Sequence, residues 1–134
     1  MTDAVMIENS WRRSLLAIAL LAGWSIDSDA AAAGDSAKGQ TIFQRCAICH
    51  RVEKGGGNGL GPNLFGIVGR KAGVAAGFNY SAAMKNSGII WSADKIDAYV
   101  EHPAAVVPGN RMAFAGITDA GQRADVVAYL ASLK

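Results

Sequence analysis

A run of thirty residues whose sequence predicts little regular structure follows the segment Cys46-Ala-Ile-Cys49-His50. This run restricts the folds that the chain can adopt. Residues 51–80 contain nine glycines and one proline. A compact domain rarely holds so long a segment unless the segment wraps something other than itself. Beyond its N-terminal region the chain has about 100 residues, enough to bury only a modest core. We therefore expect something further to stabilise the domain, such as a disulfide, a metal or a cofactor.

The Cys46-x-x-Cys49-His50 segment is compatible with several kinds of site. A zinc site needs four ligands, commonly two spaced pairs. The chain has only two cysteines and two histidines, His50 directly follows Cys49 and would strain to bind the same ion, and no H-x₃₋₅-H pair is present. A thioredoxin-like redox disulfide is expected in a βαβ context, which the sequence does not suggest, and a structural disulfide is a further alternative. C-x-x-C-H is also the attachment signature of c-type haem. Two cysteines three apart can form thioethers to one porphyrin, and the next histidine can face its iron. Haem is favoured because it would also fill the core and give the glycine-rich segment something to enclose.

The N-terminal third has the layout of a secretory signal peptide. Arg12 and Arg13 precede an apolar run over 14–24, and small residues follow, with Ala31 and Ala33 in the A-x-A positions. The run is shorter than the about 20 apolar residues of a membrane span. We predict a signal peptide over 1–33 and export to the periplasm, with an uncleaved membrane anchor as the alternative. Residues 34–134 form the single mature domain.

The charge of the mature domain is mildly positive. Removing 1–33 takes away two of the 13 basic and four of the 11 acidic residues, which leaves a net charge of about +4. This charge favours encounters with acidic partners. It is too small, and the Lys and Arg residues too scattered, to indicate nucleic-acid binding.

Helical patterns account for most of the remaining sequence, and no strand alternation stands out. We expect an all-α fold of three to five helices and long loops, with N-caps at Ser36, Ser92 and Thr118. Residues 102–116, bounded by prolines and glycines, are expected to form a loop. The helical segments are 35–46, 81–88, 92–102 and 118–134. The last helix carries a stripe at helical spacing, formed by Ala120, Ala124, Val127, Leu130 and Ala131.

A haem iron bound by His50 needs a second axial ligand or an open site. Met112 lies in a tight loop just after Pro108 and Gly109, where it is poorly explained as helix core. Met84, in a predicted helix, fits a gap-filling core role better. His102 lies at a helix end, where exposure is expected. A His/Met pair raises the reduction potential of a haem and fills both axial positions, which disfavours peroxidase chemistry.

Five motifs in order make the chain similar to the class I cytochromes c, the family of mitochondrial-type cytochrome c and its soluble bacterial relatives. The resemblance covers about residues 34–134. It implies an all-α fold with crossing N- and C-terminal helices, one covalently bound haem c, and a monomeric one-electron carrier that is not an enzyme. The motifs are GDSAKGQTIFQRCAICH, GPNLFGIVGRKAG, FNYSAAMKNSGIIW, HPAAVVPGNRMAFAG and RADVVAYLASL.

The resemblance also assigns roles to single residues. Cys46 and Cys49 would carry the thioethers, and His50 and Met112 would be the axial ligands. The carbonyl of Pro62 would accept the free imidazole N–H, which fits the need of a ligating histidine for an acceptor that fixes its tautomer.

Further residues would surround the haem. Buried propionates need charged or hydrogen-bonding partners. The residues assigned there are Arg70, Tyr80, Trp91 and Asn110. Those assigned to the apolar pocket are Met84, Tyr99 and Phe114.

Two departures from the family pattern concern this pocket. Asn110-Arg111 stands where the family often has Thr-Lys, and Asn110 can still donate a hydrogen bond. Met84 stands where mitochondrial members usually carry an Asn. Loss of that amide makes the pocket more apolar, so we expect a somewhat raised potential and an altered pH dependence of the Met112–iron bond.

The resemblance implies electron exchange with membrane redox complexes through acidic docking faces. The expected partners are a quinol-oxidising complex as donor and a terminal oxidase or other reductase as acceptor, with only transient membrane contact unless 1–33 is retained. An electron acceptor for a periplasmic dehydrogenase is an alternative. The candidate docking residues are Arg45, Lys54, Lys71 and Arg111.

Overall fold

The computed structural model describes residues 33–134, and within them every regular element is a helix. This confirms the all-α prediction. An isolated antiparallel bridge pairs Lys71 with Ile90. The helices are α1 Ser36–Ala47, α2 Ala82–Asn86, α3 Ala93–Glu101, α4 Pro103–Val106 and α5 Ala120–Ser132.

The predicted signal peptide lies almost entirely outside the described residues, so its cleavage stays a prediction. Among residues 33–134, no helix is both long and apolar enough to cross a membrane.

Helices α1 and α5 cross in close contact. A Cβ atom at Gly39 would overlap the carbonyl oxygen of Asp125, so only glycine lets the two backbones come this near. Beside this crossing the rings of Phe43 and Tyr129 pack 5.3 Å apart. Phe43 and Leu130 are both buried, and the crossing is the contact that the family resemblance implied.

Aspartates, not the predicted residues, cap the first and last helices. Asp35 accepts hydrogen bonds from Ala37 N and Lys38 N, and Asp119 accepts one from Gln122 N. The predicted cap Ser36 was therefore one residue too late, and the predicted cap Thr118 was one residue too early. An aspartate is the stronger choice because its charge also complements the positive end of the helix dipole. Ser92 caps α3 as predicted.

Two further expectations were wrong. The predicted loop 102–116 contains the short helix α4, for which Pro103 is suited because proline fits the first helical position. The predicted stripe on α5 is also displaced, and of its five residues Leu130 alone is buried. The buried face of α5 consists of Arg123, Val126 and Leu130.

The glycine-rich segment is ordered by hydrogen bonds between its own turns. Asn58 donates to Ala76 O at 2.9 Å and accepts from Asn63 N at 2.9 Å, so one side chain joins two distant turns. Asn63 donates in turn to Glu53 O and Gly56 O, each at 3.0 Å. A separate hydrogen bond, from Gly61 N to Cys49 O at 2.9 Å, joins this loop to the Cys-x-x-Cys-His segment at the end of α1.

Candidate functional site

The Cys-x-x-Cys-His segment closes the C-terminal end of α1. Cys49 N and His50 N both donate to Cys46 O, at 3.0 and 2.8 Å. This turn holds Cys46, Cys49 and His50 in one compact unit, with both thiols free. Burial raises the pKa of the Cys46 thiol, and the neighbouring Arg45 opposes the rise. Burial thus disfavours the thiolate form of Cys46, which packs against the core.

The His50 ring is fixed by the loop that follows it. Its Nδ1–H donates to Pro62 O at 2.8 Å, the pair that the family resemblance implied. Gly61 lies so close to the imidazole that any Cβ atom would overlap the ring. Burial lowers the pKa of His50, and the hydrogen bond to Pro62 partly offsets this. With Nδ1 as the donor, the lone pair of a neutral imidazole resides on Nε2, which is the form that binds a metal.

The Met112 segment, residues 107–119 between α4 and α5, is held by Asn110. The Asn110 side chain accepts from Met112 N at 2.8 Å and donates to Val107 O at 2.9 Å. Phe114 N donates to Met112 O at 3.0 Å, so the thioether lies in a tight turn. Met112 and Phe114 are half-buried against the core. Asn110, which stands where the family often has Thr, thus stabilises the turn that carries Met112.

Three of the predicted propionate residues lie together. The Arg70 guanidinium donates to Asn63 O at 2.7 Å and Phe65 O at 3.2 Å, which uses two of its five N–H groups. The charge of Arg70 acts on Tyr80, whose pKa is raised mainly by burial. Trp91 N donates to Arg70 O at 2.9 Å.

The predicted pocket residues are buried to different degrees. Tyr99 packs its ring 5.0 Å from that of Trp91, and burial raises its pKa to about 12. Met84 is 8% exposed within the core cluster. Met84 is thus placed as a core residue.

All four predicted docking residues are exposed, but they belong to different segments of the chain. Arg45 lies in the last turn of α1, next to the cysteines. Arg111 donates to Asn79 O. Lys71 is bridged to Ile90.

Sequence reasoning missed two exposed apolar side chains beside the cysteines. Ile48 is 76% exposed and Leu60 is 81% exposed. Gly61 N donates to Cys49 O at 2.9 Å, which brings the Leu60 turn against the Cys49 backbone. The sequence could have indicated this exposure, since Ile48 and Leu60 are large apolar residues among residues that form turns.

It also missed Arg123, which is 8% exposed. Its guanidinium forms ion pairs with Asp97 at 3.1 Å and Glu101 at 3.3 Å. The signal for it was the pair of acidic residues four apart on α3, a spacing that places both on one helix face.

The side chains present fit a covalently held haem. Two free thiols three apart can form the thioether bonds of a haem c. An imidazole with a fixed tautomer and a half-buried thioether are side chains of the kind that bind haem iron axially. Arg70 retains N–H groups for a carboxylate. No group of three or more acidic, cysteine or histidine residues among residues 33–134 is arranged to hold a bare metal ion.

Comparisons with known proteins agree with this assignment. The family model described as Cytochrome c matches residues 36–134. A cytochrome c2 of Rhodomicrobium vannielii is 50% identical over 109 residues, covering 81% of this chain and 86% of that protein. A cytochrome c of Chlamydomonas reinhardtii is 48% identical over 101 residues, covering 75% of this chain and 90% of that protein. Among solved structures, cytochrome cH from Methylobacterium extorquens is similar with a TM-score of 0.70 at 41% identity, covering 74% of this chain and 99% of that one.

Proposed function

Because this chain belongs to the cytochrome c family, we propose that it is a periplasmic one-electron carrier whose haem iron is held by His50 and Met112. Family membership makes the chain a haem-binding electron carrier with one covalent haem c, whose iron exchanges single electrons. Cys46 and Cys49 have the spacing of the attachment motif. The location, the axial ligands and the partners are the proposed part.

The observation that carries the proposal is the anchored His50 ring. Its Nδ1–H is engaged by Pro62 O, and Gly61 lies against the ring, so the imidazole has little freedom to turn. A fixed ligand supports electron transfer because the site then changes little between oxidation states. Met112, held by Asn110, is the second ligand we propose. With both axial positions filled, a carrier is favoured over a peroxidase.

The periplasmic assignment is supported by the signal-like N-terminus. Intact mass spectrometry of protein purified from the periplasm is expected to show a chain starting at Gly34 with the added mass of one haem. A membrane-bound product of full length would instead support the retained anchor.

We propose that the carrier docks through the end of α1. Arg45 lies there, and the exposed Ile48 and Leu60 add an apolar surface beside the cysteines. A partner with acidic groups around an apolar centre fits this surface, since charge steers the encounter and apolar contact holds it. Lys54, Lys71 and Arg111 are further candidates for steering.

The proposed electron donor is tested with a purified quinol-oxidising membrane complex. We expect the complex to reduce the ferric holoprotein much faster than quinol alone, with a rate that falls as salt is added. Equal rates with and without the complex would contradict the proposed donor and leave the haem assignment intact.

Replacement Arg45→Gln tests the docking surface. We expect its second-order reduction rate to fall by about twofold to tenfold at low ionic strength, because one steering charge is lost. Lys38→Gln is the matched control, since it removes the same charge two turns earlier on α1. Equal effects of the two substitutions would show that net charge alone, and not this surface, sets the rate.

Replacement Met84→Asn tests the pocket departure. An amide in place of a buried thioether favours the more charged oxidised haem, so the reduction potential should fall by a few tens of millivolts. For one electron, about 59 mV is a tenfold change in the equilibrium constant. Met84→Leu, which stays apolar, is the control and should leave the potential in place. A redox titration in which Met84→Asn shows no shift would refute the argument.

A further inference from the structure

Arg123 on α5 is the one charged side chain that is buried within residues 33–134. A buried guanidinium is costly unless hydrogen bonds and opposite charges compensate for its lost hydration. Arg123 has four such partners. Two are the carboxylates of Asp97 and Glu101 on α3, at 3.1 and 3.3 Å.

The other two partners lie in the chain that leads away from Met112. Arg123 Nη1 donates to Ile117 O at 3.0 Å and to Thr118 O at 2.9 Å. These carbonyls come five and six residues after Met112. Arg123 therefore joins the C-terminal part of α3 to the end of the Met112 segment.

The same part of the segment makes two further contacts with the end of α3. Ile117 N donates to Val100 O at 2.8 Å. Gly116, at φ +103, lies so close to the Glu101 carbonyl that a Cβ atom would overlap it. Only glycine tolerates both this conformation and this approach.

The other end of the Met112 segment is held nearby. Val107 N donates to Pro103 O at 3.0 Å, and Pro103 begins α4 directly after α3. Both ends of the segment are thus attached next to the C-terminus of α3. Between these two ends, the backbone of Met112 forms hydrogen bonds with neighbours in its own turn, Asn110 and Phe114.

We propose that Arg123 is a positioning residue for Met112, fixing the segment that presents the thioether to the haem iron. This rests on the proposed ligation by Met112. Asp97 and Glu101, which repel each other at a four-residue spacing, hold the guanidinium in place from one side. On its other side, the guanidinium donates hydrogen bonds to the carbonyls of Ile117 and Thr118. Loosening this junction frees the segment while the α1–α5 crossing stays packed.

Arg123→Lys tests the proposal because lysine keeps the charge but has one nitrogen and cannot bridge four acceptors. Two properties of the ferric holoprotein are followed in denaturant: the weak far-red absorption band of a methionine–iron bond, and far-UV circular dichroism. In the variant, the band should disappear at a lower denaturant concentration than the helical signal. Imidazole should bind the variant at least about tenfold faster than wild type, and the Met112 amide should exchange its hydrogen about tenfold faster or more.

Phe43→Leu is the matched control. It weakens the α1–α5 crossing, where Phe43 packs against Tyr129, and leaves Arg123 and its four partners unchanged, so both signals should shift together and imidazole binding should stay near the wild-type rate. If Arg123→Lys behaves like Phe43→Leu, then Arg123 is only a packing residue and the proposal is overturned.

Failure of the underlying ligation gives a different result. Wild-type protein without the far-red band would contradict Met112 as ligand, while amide exchange would still report whether Arg123 fixes the segment. Should Arg123→Lys not fold, Asp97→Asn removes one of the two carboxylates and is expected to act in the same direction with a smaller effect. Unchanged exchange and unchanged imidazole binding in that variant would overturn the proposal.

Discussion

Replacing Met112 with alanine is expected to abolish the far-red methionine–iron band and to lower the reduction potential by tenths of a volt. The physical reason is that a thioether favours ferrous over ferric iron, and axial ligands set haem potentials over a range of about 0.8 V. The emptied position should also bind imidazole or cyanide readily. Haem attachment should be unchanged, because Cys46 and Cys49 are untouched.

Met84→Leu is the control for this experiment, since Met84 is the competing thioether. That variant should keep the band, because Met84 is 8% exposed among core side chains. Loss of the band in Met84→Leu together with its survival in Met112→Ala would transfer the ligand role to Met84.

Replacement Gly39→Ala should destabilise the protein by about 3 kcal/mol or more. The new methyl group would overlap the Asp125 carbonyl and lie against Tyr129, so α1 and α5 would have to separate. Overpacking costs of 1–3 kcal/mol are typical where only side chains must move, and here a backbone group must move. For a domain of this size the melting temperature should fall by on the order of 10 °C or more.

Gly57→Ala provides the comparison, because nothing lies within 4 Å of the added Cβ atom. Thermal unfolding followed by circular dichroism should give nearly the wild-type midpoint for this variant. If both substitutions have equally small effects, the close helix crossing does not limit the stability of the fold.

The helical fold and the haem motif could be predicted because they depend on local signals. The spacing of Cys46, Cys49 and His50 is compatible with haem attachment, and the glycine-rich segment and the modest core favour haem over the alternatives. The family resemblance then implied the partner Pro62 for His50, and the structure places Pro62 O within hydrogen-bonding distance. The resemblance likewise implied that the N- and C-terminal helices cross, and Gly39 and Phe43 lie at that crossing.

The features that the sequence did not reveal depend on contacts between distant segments. Periodicity gave α5 an apolar stripe, yet Arg123 is buried because two carboxylates on α3 compensate its charge. The helix caps were misplaced by one residue because Ser, Thr and Asp are all good caps. Competition between such neighbours is decided by backbone geometry, which composition does not reveal.

The pairing of α1 with α5 has a consequence for the order in which this protein is made. The helix that bears Cys46 is completed first, while the helix that packs on it comprises the last 13 residues of regular structure. Contacts so far apart in sequence form late, since a long loop must close before they are gained. During synthesis the two thiols therefore remain outside a closed core until α5 has emerged. This interval leaves them accessible for haem attachment.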